Sequence, residues 1–164
     1  MRETIRAING LKKESLIEDY AIGGGIAAIF YIEPFLTYDL DVFVIPTQKE
    51  KEGSVILLTP IFDYFRNMGY SFKGEHIVIE GVPVQFIPAD ELEEEAVRNG
   101  KQIEYEGVET KVLPPEYLVA ILLRAGRKKD IAKVESLLQQ AKVNRKRLKD
   151  ILRRYGLSDK LNNL

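Results

Sequence analysis

The chain has no cysteine and a single histidine, His76, in 164 residues. The first absence excludes a disulfide framework, a thiolate nucleophile and a thiolate metal site. The second excludes a zinc site built from several histidines of one chain. No apolar run approaches the ~18 residues of a membrane-spanning helix. The opening MRETIRAINGLKKES reads as a charged helix rather than a signal peptide, so a cytoplasmic location is the default expectation. Net charge is also nearly absent, with 24 Lys+Arg against 25 Asp+Glu. The field of the whole chain therefore does not favour nucleic acid or an anionic membrane. Neither a repeat nor a low-complexity linker divides the sequence.

What is present describes an ordinary globular chain, 45% hydrophobic and 30% charged. Its charge is uneven: Glu91 to Glu95 is acidic, while Arg124 to Lys133 and Arg145 to Arg154 are basic. Residues 2–17 carry apolar positions at helical spacing, including Ile5, Leu11 and Leu16. A short strand, YAI, enters the glycines at 23–25. GIAAIFYI then predicts a helix closed by Pro34, and DLDVFVI a strand. A helix follows with Leu58, Ile61, Phe62 and Phe65 on its apolar face, ended by Gly69. Strand runs punctuated at Gly74-Glu75 and Gly81, a helix over 90–99 with Asp90 as N-cap, and a hairpin about Gly107 complete this half. From Pro114 the pattern is helical, in three segments bounded by Gly126, Asn144 and Gly156. The expected class is α+β: a mixed β-sheet flanked by helices over 1–113, with a C-terminal helical region over 114–164 packed on it.

Two features carry chemistry. The Gly23–Gly25 run lies between a strand and a helix, where glycine lets the backbone turn tightly and approach a ligand, and where free helix N–H groups suit phosphate. A tight packing turn is the plainer explanation. Asp39 and Asp41 sit two apart in a strand run and so face one side, with Leu40 and Val42 on the other. Two carboxylates 4 Å apart repel by roughly 4 kcal/mol at an intermediate dielectric, so a cation should offset them. Oxygen donors point to Mg²⁺ or Mn²⁺; a solvated pair at a strand end is the alternative.

Together, a strand–glycine turn–helix–strand unit ending in Asp39-Leu40-Asp41 resembles the nucleotidyltransferase superfamily. The resemblance implies that Gly23, Gly24 and Gly25 hold the triphosphate of an NTP, and that Asp39 and Asp41 bind the catalytic metal. Further on, GVPVQFIPADELEEEAV and VLPPEYLVAILLRAGRKKDIAKV look like the AbiEii-type proteins, which include toxin components of two-protein systems. The matching positions are Pro115-Glu116, Ala120, Gly126-Arg127 and Lys129-Asp130. That implies nucleotide contacts from Arg127 and Lys129, a catalytic part for Lys129 and Asp130, a tRNA or protein acceptor, and an antitoxin-like partner. From the residues alone, Asp130 is a candidate cap of the following helix. One position departs from the superfamily. Its third acidic residue corresponds to Gln85, which cannot take a proton from a hydroxyl near neutral pH. Glu80, across the hairpin turn, is the candidate substitute. Two functions therefore stay open: a nucleotidyltransferase, or a non-catalytic nucleotide-binding or protein-interaction module of the same fold. His76 reads as structural. The basic helix NRKRLKDILRRY reads as packing its leucines and solvating its charges, with contact to RNA backbone as the second option.

Overall fold

The computed structural model describes residues 1–47 and 54–164. Helix α1 (Arg2–Lys13) buries Thr4, Ile5, Ile8 and Leu11 along one stripe. It is four residues shorter than the periodicity suggests. Ser15 takes a left-handed φ of 57°, and the chain turns directly into β1 (Ile17–Gly23). Strand β1 is correspondingly longer than YAI. Glu18 and Asp19 mask its start in the sequence, but Asp19 is paired with Lys111 and, at 3.3 Å, with Lys12.

The short helix α2 (Gly24–Ile29) ends well before Pro34. Residues 33–39 run without regular structure into β2 (Leu40–Pro46). Then come α3 (Ser54–Asn67), β3 (Ser71–Lys73), β4 (His76–Ile79), β5 (Val82–Pro88), α4 (Glu91–Arg98), β6 (Lys101–Tyr105) and β7 (Val108–Val112). Asp90 caps α4 as expected, within a reciprocal capping box. Its Oδ1 accepts from the Glu93 N–H at 2.9 Å, and Glu93 Oε1 accepts from the Asp90 N–H at 3.1 Å. The helical region comprises α5 (Pro115–Ala125), α6 (Lys128–Gln140), α7 (Arg145–Arg154) and a further short helix, α8 (Ser158–Asn162). Gly126 ends α5 in the left-handed conformation, at φ 69°.

The seven strands form one mixed sheet in the order β3-β4-β5-β2-β1-β7-β6. Central strands β1 and β2 are antiparallel, while β2 runs parallel to β5 and β1 parallel to β7. An apolar cluster joins sheet residues such as Val42, Val44 and Val112 to Leu118, Val134 and Leu148 of the helices. The continuous core fixes α5 and α6 against the sheet. That fixed packing lets side chains distant in sequence share one cleft.

A polar hub secures α7. Glu95 accepts from Arg154 Nη1 at 2.7 Å and Nη2 at 2.8 Å, from Tyr117 Oη at 2.6 Å and from Tyr155 Oη at 2.9 Å. The Arg154 hydrogen bonds, helped by the two phenols and opposed by partial burial, hold the Glu95 carboxyl down from 4.5 to about 2. A depressed carboxyl stabilises the fold above its unfolded pKa, and that contribution fades as pH falls through the folded value. After solvent screening it amounts to roughly 1 kcal/mol. Glu95→Gln is expected to lower the melting temperature by about 2–4 °C at pH 7. The gap to the wild type should close as the pH falls from 4.5 towards 2, which calorimetry across that range checks.

Candidate functional site

A cleft of about 1020 Å³ opens between strands β2 and β5, the segment 32–38, and helices α5 and α6. Its floor is set by strand register. Gly23 on β1 stands opposite Asp41 on β2, and Asp41 in turn stands beside Gln85 on β5. Gly24 adopts φ +58°, and a methyl group on its Cα would overlap the Asp41 carboxylate. The glycine turn and the second aspartate are thus in direct contact, 17 residues apart in the chain. Gly23 has a different reason to be glycine: the Phe43 ring lies where its Cβ would be. At Gly25 a Cβ would come within 2.8 Å of Thr37 Oγ1. Helix α2 has only six residues, so its dipole adds little to this turn.

Leu40 and Val42 are fully buried, while Asp39 and Asp41 both line the cleft, as their two-residue spacing predicts. Asp39 lies just before β2 and is exposed; Asp41 is partly buried. Burial, and secondarily the charge of Asp39, pushes the Asp41 carboxyl above its ordinary value, against attraction from Lys133, His76 and Arg127. Among the described residues no hydrogen-bond donor reaches that carboxylate. His76 Nε2, a buried nitrogen, lies 3.3 Å from Asp39 Oδ2 but outside hydrogen-bonding geometry. His76 is therefore next to the site rather than merely structural. Nothing local in the sequence signals this, because the β4–β5 pairing brings it there.

Gln85 occupies the register position beside Asp41, and its amide donates to Glu75 Oε2 at 3.4 Å. Glu80 does not substitute for it. It sits at the opposite end of the β4–β5 hairpin and accepts from Tyr70 Oη at 2.7 Å. No cluster of three or more His, Asp or Glu side chains suited to a metal occurs among the described residues. The oxygen donors at the floor are two carboxylates and one amide.

The opposite wall is cationic. Arg127, Lys129 and Lys133 all line the cleft. Lys133 is one helical turn beyond Lys129 and lies 5.8 Å from the centre of the Phe35 ring. It is the strongest cationic influence on Asp41, a role legible only once α6 is placed over β2. Asp130 does not cap α6. Arg127 holds the N-cap position, and Asp130 lies inside the first turn. Both Asp130 oxygens are taken by Arg127, at 2.6 Å to Nε and 3.2 Å to Nη2. The Asp130 side chain is only 1% exposed against 64% for Arg127. A buried carboxylate therefore orients an exposed guanidinium. Arg127→Ala would strand that carboxylate, costing about 2 kcal/mol. Thermal denaturation should show the loss, with most of it recovered when Asp130→Asn is added. Arg124, also at the cleft, is bound to Asp90 at 2.8 Å and to Glu93 at 3.0 Å, tying α5 to α4.

A mixed sheet with these flanking helices is a nucleotidyltransferase-like fold. The likeness to solved structures spans nearly the whole chain. One is an antigenic nucleotidyltransferase-like protein from Paracoccidioides brasiliensis, with 18% identity and a TM-score of 0.53 over 98% of this chain and 92% of that one. Another is the antibiotic-resistance factor ANT(2'')-Ia, with 15% identity and a TM-score of 0.53 over 93% of this chain and 89% of that one. At such identities the likeness is one of fold. The chain matches no family model and no curated protein sequence. Among the described residues no helix is long and apolar enough to cross a membrane.

Proposed function

We propose that the cleft binds an NTP with a divalent cation and transfers its nucleotidyl group to a hydroxyl of a nucleic-acid or protein acceptor. The observation that carries this proposal is the contact between Gly24 and Asp41, which places a tight backbone turn against a carboxylate that no hydrogen-bond donor reaches among the described residues. Such a carboxylate, half out of water beside a second one, fits a hard cation. Mg²⁺ in particular is often held by one or two carboxylates, with water and phosphate oxygens filling its remaining positions. Asp39 and Asp41 would hold Mg²⁺ or Mn²⁺, which when bound neutralises triphosphate charge. The Gly23–Gly25 turn and the cations Arg127, Lys129 and Lys133 would position the phosphates. In that arrangement Asp130 acts through Arg127. The acceptor oxygen bonds to the α-phosphorus as the bond to pyrophosphate breaks, and the hydroxyl proton leaves to solvent or a base. Residues 114–164 would then be the region that closes the cleft over the 1–113 core. The Pro115–Asp130 pattern adds an AbiEii-type toxin role, with a cytoplasmic setting and an antitoxin-like partner.

Gln85 favours a second reading, a nucleotide-binding module without turnover. It holds the register position next to Asp41 with a neutral amide, and Glu80 lies elsewhere. Incubation with α-labelled NTP and Mg²⁺, with cellular RNA and protein as acceptors, separates the two. Label incorporation that requires Asp39 and Asp41 supports transfer. Tight binding without incorporation into either acceptor supports the module.

A further inference from the structure

Leu36 and Tyr38 are the most exposed large apolar side chains among the described residues, at 78% and 72%. Both line the cleft, and Tyr38 immediately precedes Asp39. An apolar pair left in water at the rim of a polar site, rather than scattered over the surface, indicates a flat apolar ligand group. Its backbone is held from both ends. The Glu33 N–H donates to Gln140 Oε1 of α6 at 2.9 Å, and Thr37 packs against Gly25. Segment 33–39 thus presents Tyr38 from a backbone tied to α6 and to the glycine turn. We propose that Tyr38, flanked by Leu36, is the platform on which the nucleobase of the bound NTP stacks. This rests on the metal–triphosphate reading of Asp39, Asp41 and Gly24. Tyr38 and Asp39 are adjacent in the chain, with Cα atoms about 3.8 Å apart, and both line the cleft, so the ring is carried on the same rim as the proposed metal ligand. Stacking uses a π-face that every base has, so the site discriminates weakly among the four bases.

The test measures the affinities of Mg²⁺ with ATP, GTP, CTP, UTP and inorganic tripolyphosphate for wild type, Tyr38→Ala and Tyr38→Phe. The expected result is four NTPs within about threefold of one another, a loss of about tenfold or more for each in Tyr38→Ala, and wild-type affinity in Tyr38→Phe. Tripolyphosphate, which has no base, should bind wild type and Tyr38→Ala alike. Equal NTP affinity in wild type and Tyr38→Ala overturns the platform while leaving the phosphate site intact. Failure of tripolyphosphate and every NTP to bind wild type overturns the underlying site instead. Because Tyr38 is exposed, its truncation leaves the fold intact.

Discussion

Asp41→Asn is expected to make the ligand-free protein more stable while removing its metal-dependent nucleotide binding. Burial, then Asp39, raises the Asp41 carboxyl, and the attraction of Lys133, His76 and Arg127 does not fully offset them. The folded pKa exceeds the unfolded one, so the native state holds this proton more tightly. Ionised Asp41 therefore costs stability above its folded pKa, and the cost disappears as pH falls through that value. Asparagine has no charge to bury. At pH 7 the variant should gain about 1 kcal/mol, or roughly 2–4 °C in melting temperature. The gap should shrink as the solution is acidified. Added Mg²⁺ and NTP should stabilise only the wild type. A variant less stable than wild type at neutral pH, with no ligand present, would contradict this account of the carboxylate.

The second large effect is expected at Gly24. Alanine there must adopt φ +58°, which costs about 1 kcal/mol in backbone strain, and its methyl would occupy the space of the Asp41 carboxylate. Asp41 has to move, so Gly24→Ala should weaken Mg²⁺–NTP binding by about 100-fold, equivalent to roughly 2.7 kcal/mol. Its neighbours supply the controls. Gly23→Ala should lower stability through collision with Phe43, at about 1–3 kcal/mol, and leave the folded protein able to bind. Gly25→Ala meets Thr37 Oγ1, which can rotate away, and its methyl lies 3.3 Å from Thr37 Cβ and 3.5 Å from the Phe35 ring, so a shift of a few tenths of an ångström accommodates it. Equal binding losses at all three positions would mean that binding does not depend specifically on the Gly24–Asp41 contact. Titration calorimetry on the three variants distinguishes the cases.

The features legible in the sequence are those with local causes. Asp90 and Glu93 define a capping box within four residues, and Gly81, Gly107 and Gly126 mark turns through backbone freedom alone. The alternation around Asp39 and Asp41 gives the facing of both side chains; Gln85, which only the family resemblance singles out, lies in register with Asp41. What escaped depends on partners far along the chain. Glu18 and Asp19 disguise the start of central strand β1 because Lys111 and Lys12 compensate Asp19 only in the folded state. Asp130 is the local exception: it reads as a helix cap, yet its carboxylate takes the guanidinium three residues back. His76 and Lys133 join the site through strand pairing and helix packing, which no spacing rule contains.

The central claim is that the glycine turn and the aspartate pair form one metal–nucleotide site. It is tested most directly by the melting temperature of wild type and of the Asp39→Asn/Asp41→Asn double variant with each of the four NTPs, with and without Mg²⁺. At about 100 times the dissociation constant, bound nucleotide should add roughly 2.7 kcal/mol to wild-type stability. That shift should require Mg²⁺ and be absent from the double variant. No shift with any of the four nucleotides, or an equal shift in the double variant, would contradict the claim.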